Sequence, residues 1–167
     1  QLIGEEYDSV IILAPSHFVP MSGASLLEKK YYKTPLGLVK IDQERKGKLL
    51  GIKEWLYHDP YLYAKEHSLE VQIPFLQVVL KNLQIVPLVI GSNNVELCRE
   101  LAVLLFDLFK DENILYVASS DLSHYLSYKE AIIKDRLTLD AVKELDSSSL
   151  LSDISSGKAE MCGLGPV

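Results

Sequence analysis

Four short segments of this chain carry side chains that can do chemistry. In Pro15-Ser16-His17 an imidazole directly follows an apolar run. Neutral imidazole is both a common metal ligand and a good general base. In Ser119-Ser120-Asp121-Leu122-Ser123-His124 a carboxylate and an imidazole lie three residues apart among serines. A carboxylate beside an imidazole fixes its tautomer and raises its basicity. Ser119, Ser120 and Ser123 add hydroxyls that can act as nucleophiles or oxyanion donors. Glu66-His67 is a second carboxylate–imidazole pair. Cys162 stands in Met161-Cys162-Gly163-Leu164-Gly165-Pro166, where glycines allow close backbone approach and a thiolate could be a soft metal ligand. The candidate set is therefore His17, His67, His124 and Cys162, with Asp121, Glu66, Ser16 and Ser120 around them.

Each segment also has a plainer reading. His17 could sit in a loop bonded to nearby carbonyls, and Asp121 or a neighbouring serine could cap a helix. Ser68 reads as the N-cap of a helix from Ser68 to Leu80, with Glu70 in its first turn favouring the helix dipole. Pro74 should kink that helix or mark a later start. Cys162 could simply pack at a helix start, and Cys98, beside Leu97 and Leu101, reads as core packing. His58, next to Asp59-Pro60, reads as an exposed turn residue.

The elements that must position these groups alternate along the chain. Val10 to Ala14 is a β-branched apolar run ended by Pro15, a buried strand. Leu36 to Ile41 is a weaker strand, and Asp42 can cap a helix to Leu50, with Gly51 as its stop. Leu83 to Ile90 and Ile114 to Ala118 are further strands, and Asn94 to Lys110, Tyr128 to Leu145 and Ser147 to Ser156 are helices. Such alternation predicts an α/β fold with a mainly parallel sheet covered on both faces. In such sheets ligands sit beyond the carboxyl ends of the strands. His17 and the Ser119–His124 segment each follow a strand, so both should share one sheet edge.

Composition narrows the function classes. The 167 residues carry 17 Lys+Arg against 23 Asp+Glu, a net charge of −6, which gives no general attraction to phosphate backbones or anionic lipid. Nucleic acid and membrane are not expected partners. With 48% hydrophobic and 24% charged residues the chain has globular composition, and its length suits one domain. Two cysteines cannot build a disulfide framework, which fits a reducing, cytoplasmic setting. There is no phosphate loop, dinucleotide fingerprint or paired-cysteine zinc motif.

The ordered motifs resemble the Memo family, called AmmeMemoRadiSam system protein B in prokaryotes. The matching stretches are Ala14-Pro15-Ser16-His17, Tyr32-Lys33-Thr34-Pro35-Leu36-Gly37 with Asp42, Glu66-His67-Ser68-Leu69-Glu70, Ile85-Val86-Pro87-Leu88-Val89-Ile90-Gly91, Ser119 through Tyr125, and Met161 through Pro166. The resemblance implies a three-layer α/β/α fold with a mainly parallel or mixed central sheet, similar to class III extradiol dioxygenases. It implies a cleft in which His17 and Cys162 are metal ligands, with iron or copper as the metal. His124 and Asp121 would be catalytic, and Ser16, Glu66, His67 and Ser120 would line or support the cleft. The family's early Ala-Pro-His-Ala-Gly segment has no counterpart here. The chain is thus expected to be one Memo-like domain over 1–167 that lacks N- and C-terminal parts of the family domain.

Three functions follow as expectations. The first is metal-dependent redox or oxygenase-like activity on a small molecule or peptide, with a radical-SAM system partner implied by the resemblance. The second is a non-catalytic module holding a peptide or small anion in the same cleft. The third, a hydrolase using Ser120 or Ser123 with His124, lacks the Gly-x-Ser-x-Gly elbow.

Overall fold

A computed structural model describes residues 2–91 and 94–167. The chain order is β1 (Ser9–Pro15), β2 (Ala24–Leu26), β3 (Tyr31–Thr34), β4 (Gly37–Ile41), α1 (Gln43–Leu49), β5 (Leu56–Tyr57), a 3-10 turn (Leu62–Ala64), α2 (Ile73–Val79), β6 (Gln84–Ile90), α3 (Val95–Phe109), β7 (Ile114–Ala118), α4 (Tyr128–Lys143) and α5 (Ser147–Ser155). One mixed sheet of seven strands runs β3-β4-β6-β1-β7. Its spine is parallel: β4 with β6, β6 with β1, and β1 with β7. β3 pairs antiparallel with β4, and β2 pairs antiparallel with β6 and parallel with β5.

The three-layer arrangement follows from strand alternation. Successive side chains of a strand point to opposite faces. Val10, Ile12 and Ala14 of β1, with Ile85 and Val89 of β6, pack in one core with Ile73, Leu76 and Leu80 at α2. Ile11, with Val86, Leu88 and Ile90, packs in the other with Leu49 of α1 and Leu101, Leu105 and Phe109 of α3. Both faces of β1 and β6 are buried, which is why these segments read as unbroken apolar runs. Pro87 would be out of place in the middle of a fully paired central strand. It is tolerated because β6 changes partner there: β4 meets Gln84 and Ile85, β2 meets Leu88 to Ile90, and Pro87 lies between.

Caps close the helices. Asp42 accepts from the Arg45 amide at 3.0 Å and from its Nη1 at 2.7 Å, so it caps α1 and anchors Arg45. Arg45 Nε reaches Glu112 at 2.5 Å, tying α1 to the turn before β7. Burial alone would raise the Asp42 carboxyl, but the Arg45 bonds hold it below the ordinary carboxylate range. Ser127 and Glu130 form a capping box at the start of α4.

Several expectations need correction. Ser68 does not cap a helix; α2 starts at Ile73 with Gln72 as its N-cap and Pro74 in its first turn, where a missing N–H costs nothing. The short strands β2, β3 and β5 carry no readable apolar alternation and are new from the structure. Cys98 is half-buried rather than sealed in the core, and burial raises its thiol pKa. His58 is also half-buried: its Nδ1 lies 2.8 Å from the Leu26 carbonyl and 3.2 Å from the Glu28 amide. No helix among the described residues is long and apolar enough to cross a membrane.

Candidate functional site

His17 is set by the end of β1. Ser16 extends the ladder by one bond, its amide donating to the Ile90 carbonyl at 2.9 Å. Its hydroxyl donates to the Val19 carbonyl at 2.7 Å and so ties down the loop that carries His17. His17 meets Glu66 twice. Its amide donates to Oε2 at 2.6 Å, and Nδ1 lies 3.0 Å from Oε1. Oε1 also accepts from the amides of His67 and Ser68, each at 3.0 Å. The Glu66 side chain is only 2% exposed. Burial pushes its carboxyl up, but the His17 and Ser68 hydrogen bonds outweigh that and hold it at about 2. An ionised carboxylate can only accept, so Nδ1 is the ring nitrogen that donates to it, and Nε2 is the one turned away and open to a ligand in the neutral imidazole. His67, with a 57% exposed side chain, stacks on His17 at 5.3 Å between ring centroids and meets the edge of Phe18 at 5.7 Å.

The second group forms where β7 ends. Cys162 and Asp121 are joined by a main-chain bond from the Cys162 amide to the Asp121 carbonyl at 3.1 Å. The Asp121 amide in turn donates to Cys162 Sγ at 3.1 Å. Ser120 Oγ accepts from the Gly163 amide at 2.9 Å, donates to the Asp121 carbonyl at 2.8 Å and lies 3.9 Å from Sγ. This approach demands glycine at 163. A Cβ there would stand 2.4 Å from the Ser119 carbonyl oxygen and 2.6 Å from Ser120 Cβ. His124 has Nε2 at 3.6 Å from Asp121 Oδ2, and its amide donates to Glu160 Oε1 at 3.1 Å. The Asp121 side chain is 80% exposed, so that ion pair is weak by itself. Glu160, which also meets Lys134 Nζ at 3.5 Å, holds the His124 main chain in place and was not singled out from the sequence.

Both groups thus lie beyond the carboxyl ends of β1 and β7, two adjacent parallel strands. One holds His17, Glu66 and His67; the other holds Ser120, Asp121, His124 and Cys162. Among the described residues, the three donors with ligand atoms within 4.8 Å of one another are His17, Glu66 and His67. Cys162 is outside that trio. Glu66 is better understood as the group that orients His17, because both its oxygens already accept N–H bonds. An imidazole held at Nδ1 by a buried carboxylate, and a sulfur that accepts a main-chain amide, are donors suited to a transition metal.

Fold and site together define an α/β protein with imidazole, carboxylate and thiol groups gathered at the carboxyl edge of a mixed sheet. The family model for Memo-like proteins matches residues 1–167, and the chain belongs to that family. It is 37% identical over 163 residues to a MEMO1 family protein of Sulfolobus acidocaldarius, covering 96% of this chain and 57% of that protein. A MEMO1 family protein of Methanobrevibacter smithii is 34% identical over 159 residues, covering 94% of this chain and 56% of its own length. One from Thermotoga neapolitana is 33% identical over 159 residues, with 95% and 57% covered. The chain spans a little over half the length of these curated relatives.

Proposed function

We propose that this chain supplies His17 Nε2 and Cys162 Sγ as ligands to an iron or copper centre with redox or oxygenase-like chemistry. The observation that supports this most is the His17–Glu66 pair. Nδ1 at 3.0 Å from a buried, ionised carboxylate is the arrangement that fixes and strengthens a metal-binding imidazole. A thiolate ligand shifts preference toward softer ions than an all-oxygen set would. A bound metal would supply open positions at which a small molecule or peptide is oxidised. This chain's own part is to hold the donors and move protons. Glu66 orients the His17 ring through Nδ1, and His124, beside Asp121, is the imidazole placed to pass a proton to or from a substrate. Ring cleavage of the extradiol type does not follow from fold likeness alone.

Two other readings find less support. A small-anion module would have to overcome Glu66, Asp121 and Glu160 around the histidines. A hydrolase would need an activated serine, but Ser120 Oγ is engaged with the Asp121 carbonyl and the Gly163 amide, and Ser123 Oγ is buried with no hydrogen-bond partner among the described residues.

The test is titration of the chelator-treated protein with copper(I) and iron(II), anaerobically, beside His17→Ala and Cys162→Ser. One equivalent bound by the wild type, and affinity lost at least tenfold in each variant, is the expected result. Equal affinity in all three proteins, or no binding by the wild type, would overturn the assignment.

A further inference from the structure

We infer that Ser119, acting with Ser68 and Gln72, is the positioning device that holds the His17 loop and the Cys162 segment in one fixed relation. This rests on the metal-centre reading above, because only then must the two loops keep a set separation. The loops are far apart in sequence, and strand pairing alone leaves each of them one edge of freedom beyond its last ladder bond.

Ser119 touches every segment that must be aligned. Its amide donates to the Leu13 carbonyl of β1 at 2.8 Å. Its hydroxyl donates to the Ser68 carbonyl at 2.7 Å and accepts from Gln72 Nε2 at 3.0 Å. Ser68 then passes the connection on: its own hydroxyl donates to the Pro15 carbonyl, two residues before His17, at 2.8 Å. On the opposite side, the Ser119 carbonyl oxygen is the atom that leaves no room for a side chain at Gly163. One residue therefore meets the end of β1, the Glu66–Gln72 turn and the Cys162 segment. Both serines are buried, Ser119 at 4% and Ser68 at 6% exposure.

The chemistry explains why serine suits the position. A hydroxyl gives one proton and accepts another in the volume of two heavy atoms. Alanine would leave the buried Ser68 carbonyl, and the half-buried Gln72 amide, without this partner, where unmade hydrogen bonds are costly. Threonine would add a methyl group where almost no surface is free.

The experiment compares wild type with Ser119→Ala, Ser68→Ala and Ser149→Ala. The last removes the hydroxyl that donates to the Asp146 carboxylate capping α5, takes no part in the Ser119–Ser68–Gln72 bonds and serves as a control for lost stability. In the metal-free proteins, amide exchange followed by mass spectrometry should rise about tenfold around both His17 and Asp121 in Ser119→Ala. In Ser68→Ala it should rise around His17 only, and in Ser149→Ala around neither. Copper(I) affinity should fall about tenfold in Ser119→Ala at unchanged stoichiometry, and stay at the wild-type value in Ser149→Ala. If exchange at His17 is unaltered in Ser119→Ala, or rises there no more than in the rest of the sheet, the positioning role is refuted. A wild type that binds no metal would remove the metal-centre reading, while the exchange data would still decide whether Ser119 couples the loops.

Discussion

Replacing Glu66 with glutamine keeps the shape of the side chain and removes its charge and half of its accepting capacity. The wild-type carboxylate receives four N–H groups: the amide and Nδ1 of His17, and the amides of His67 and Ser68. A glutamine can present one oxygen, and its NH2 must then face at least one donor. A buried donor left unsatisfied costs about 1–3 kcal/mol. A second route gives a similar size. Lowering the carboxyl from 4.5 to about 2 corresponds to about 3 kcal/mol in favour of the folded, ionised form, at about 1.4 kcal/mol per tenfold in acidity. Because the folded value is the lower one, this stability is present above the ordinary carboxylate range and is lost as pH falls toward 2. About 2 kcal/mol of it should be gone at pH 3. Urea unfolding of chelator-treated wild type and Glu66→Gln, at pH 7 and pH 3, measures both effects. The expected gap is about 3 kcal/mol at pH 7 and roughly 1 kcal/mol at pH 3. A gap of the same size at both pH values would refute the reasoning, since the charge of Glu66 would then contribute nothing.

Two further outcomes follow from the same geometry. Gly163→Ala should force the Cys162 segment off Ser119 and Ser120, costing about 1–3 kcal/mol in thermal unfolding and speeding Cys162 labelling by a thiol reagent, read by peptide mapping; unchanged labelling would contradict the close approach. Arg45→Met should cost about 3 kcal/mol at neutral pH by leaving Asp42, whose side chain is 5% exposed, without its cation. That loss should shrink in acid as Asp42 protonates, which urea titrations across pH will show or disprove.

What could be read from the sequence depended on whether a feature was local. Val10 to Ala14 and Ile85 to Ile90 are buried on both faces, so their continuous apolar character marks them as strands. Ala24 to Leu26 and Leu56 to Tyr57 are too short for any period to show, and they exist because β6 and one another offer edges. The Ser68–Leu80 helix failed for a specific reason. Glu66 captures the Ser68 amide, and the Ser68 hydroxyl is drawn to Pro15, so the chain turns there and α2 begins after Gln72. Asp121 and His124 were legible as a pair because they are three residues apart. Glu66 and His17 are 49 residues apart, and their double contact is created by the fold. Glu160 gave only a weak signal, a lone acid two residues before Cys162, and Ser119 was legible as a candidate hydroxyl but not as a buried link between segments, because β7 before it is an edge strand with exposed Tyr116 and Ala118.

The exchange of partners along β6 also bears on the order in which the molecule can assemble. β1, β2 and β4 are all made before β6 as the chain leaves the ribosome, yet each needs β6 as its neighbour. Until Ile90 has emerged, the earlier strands have only the β3–β4 hairpin and the brief β2–β5 pairing to rely on. The apolar faces of Val10 to Ala14 and of Val39 and Ile41 must wait in water for a segment made about forty-five to seventy-five residues later. Long-range pairing of this kind slows folding, and it exposes the nascent chain to aggregation in the interval. The first half of the sheet is therefore unable to fold ahead of the second, and truncation just before Gln84 should yield a chain that holds no more than isolated hairpin and helix.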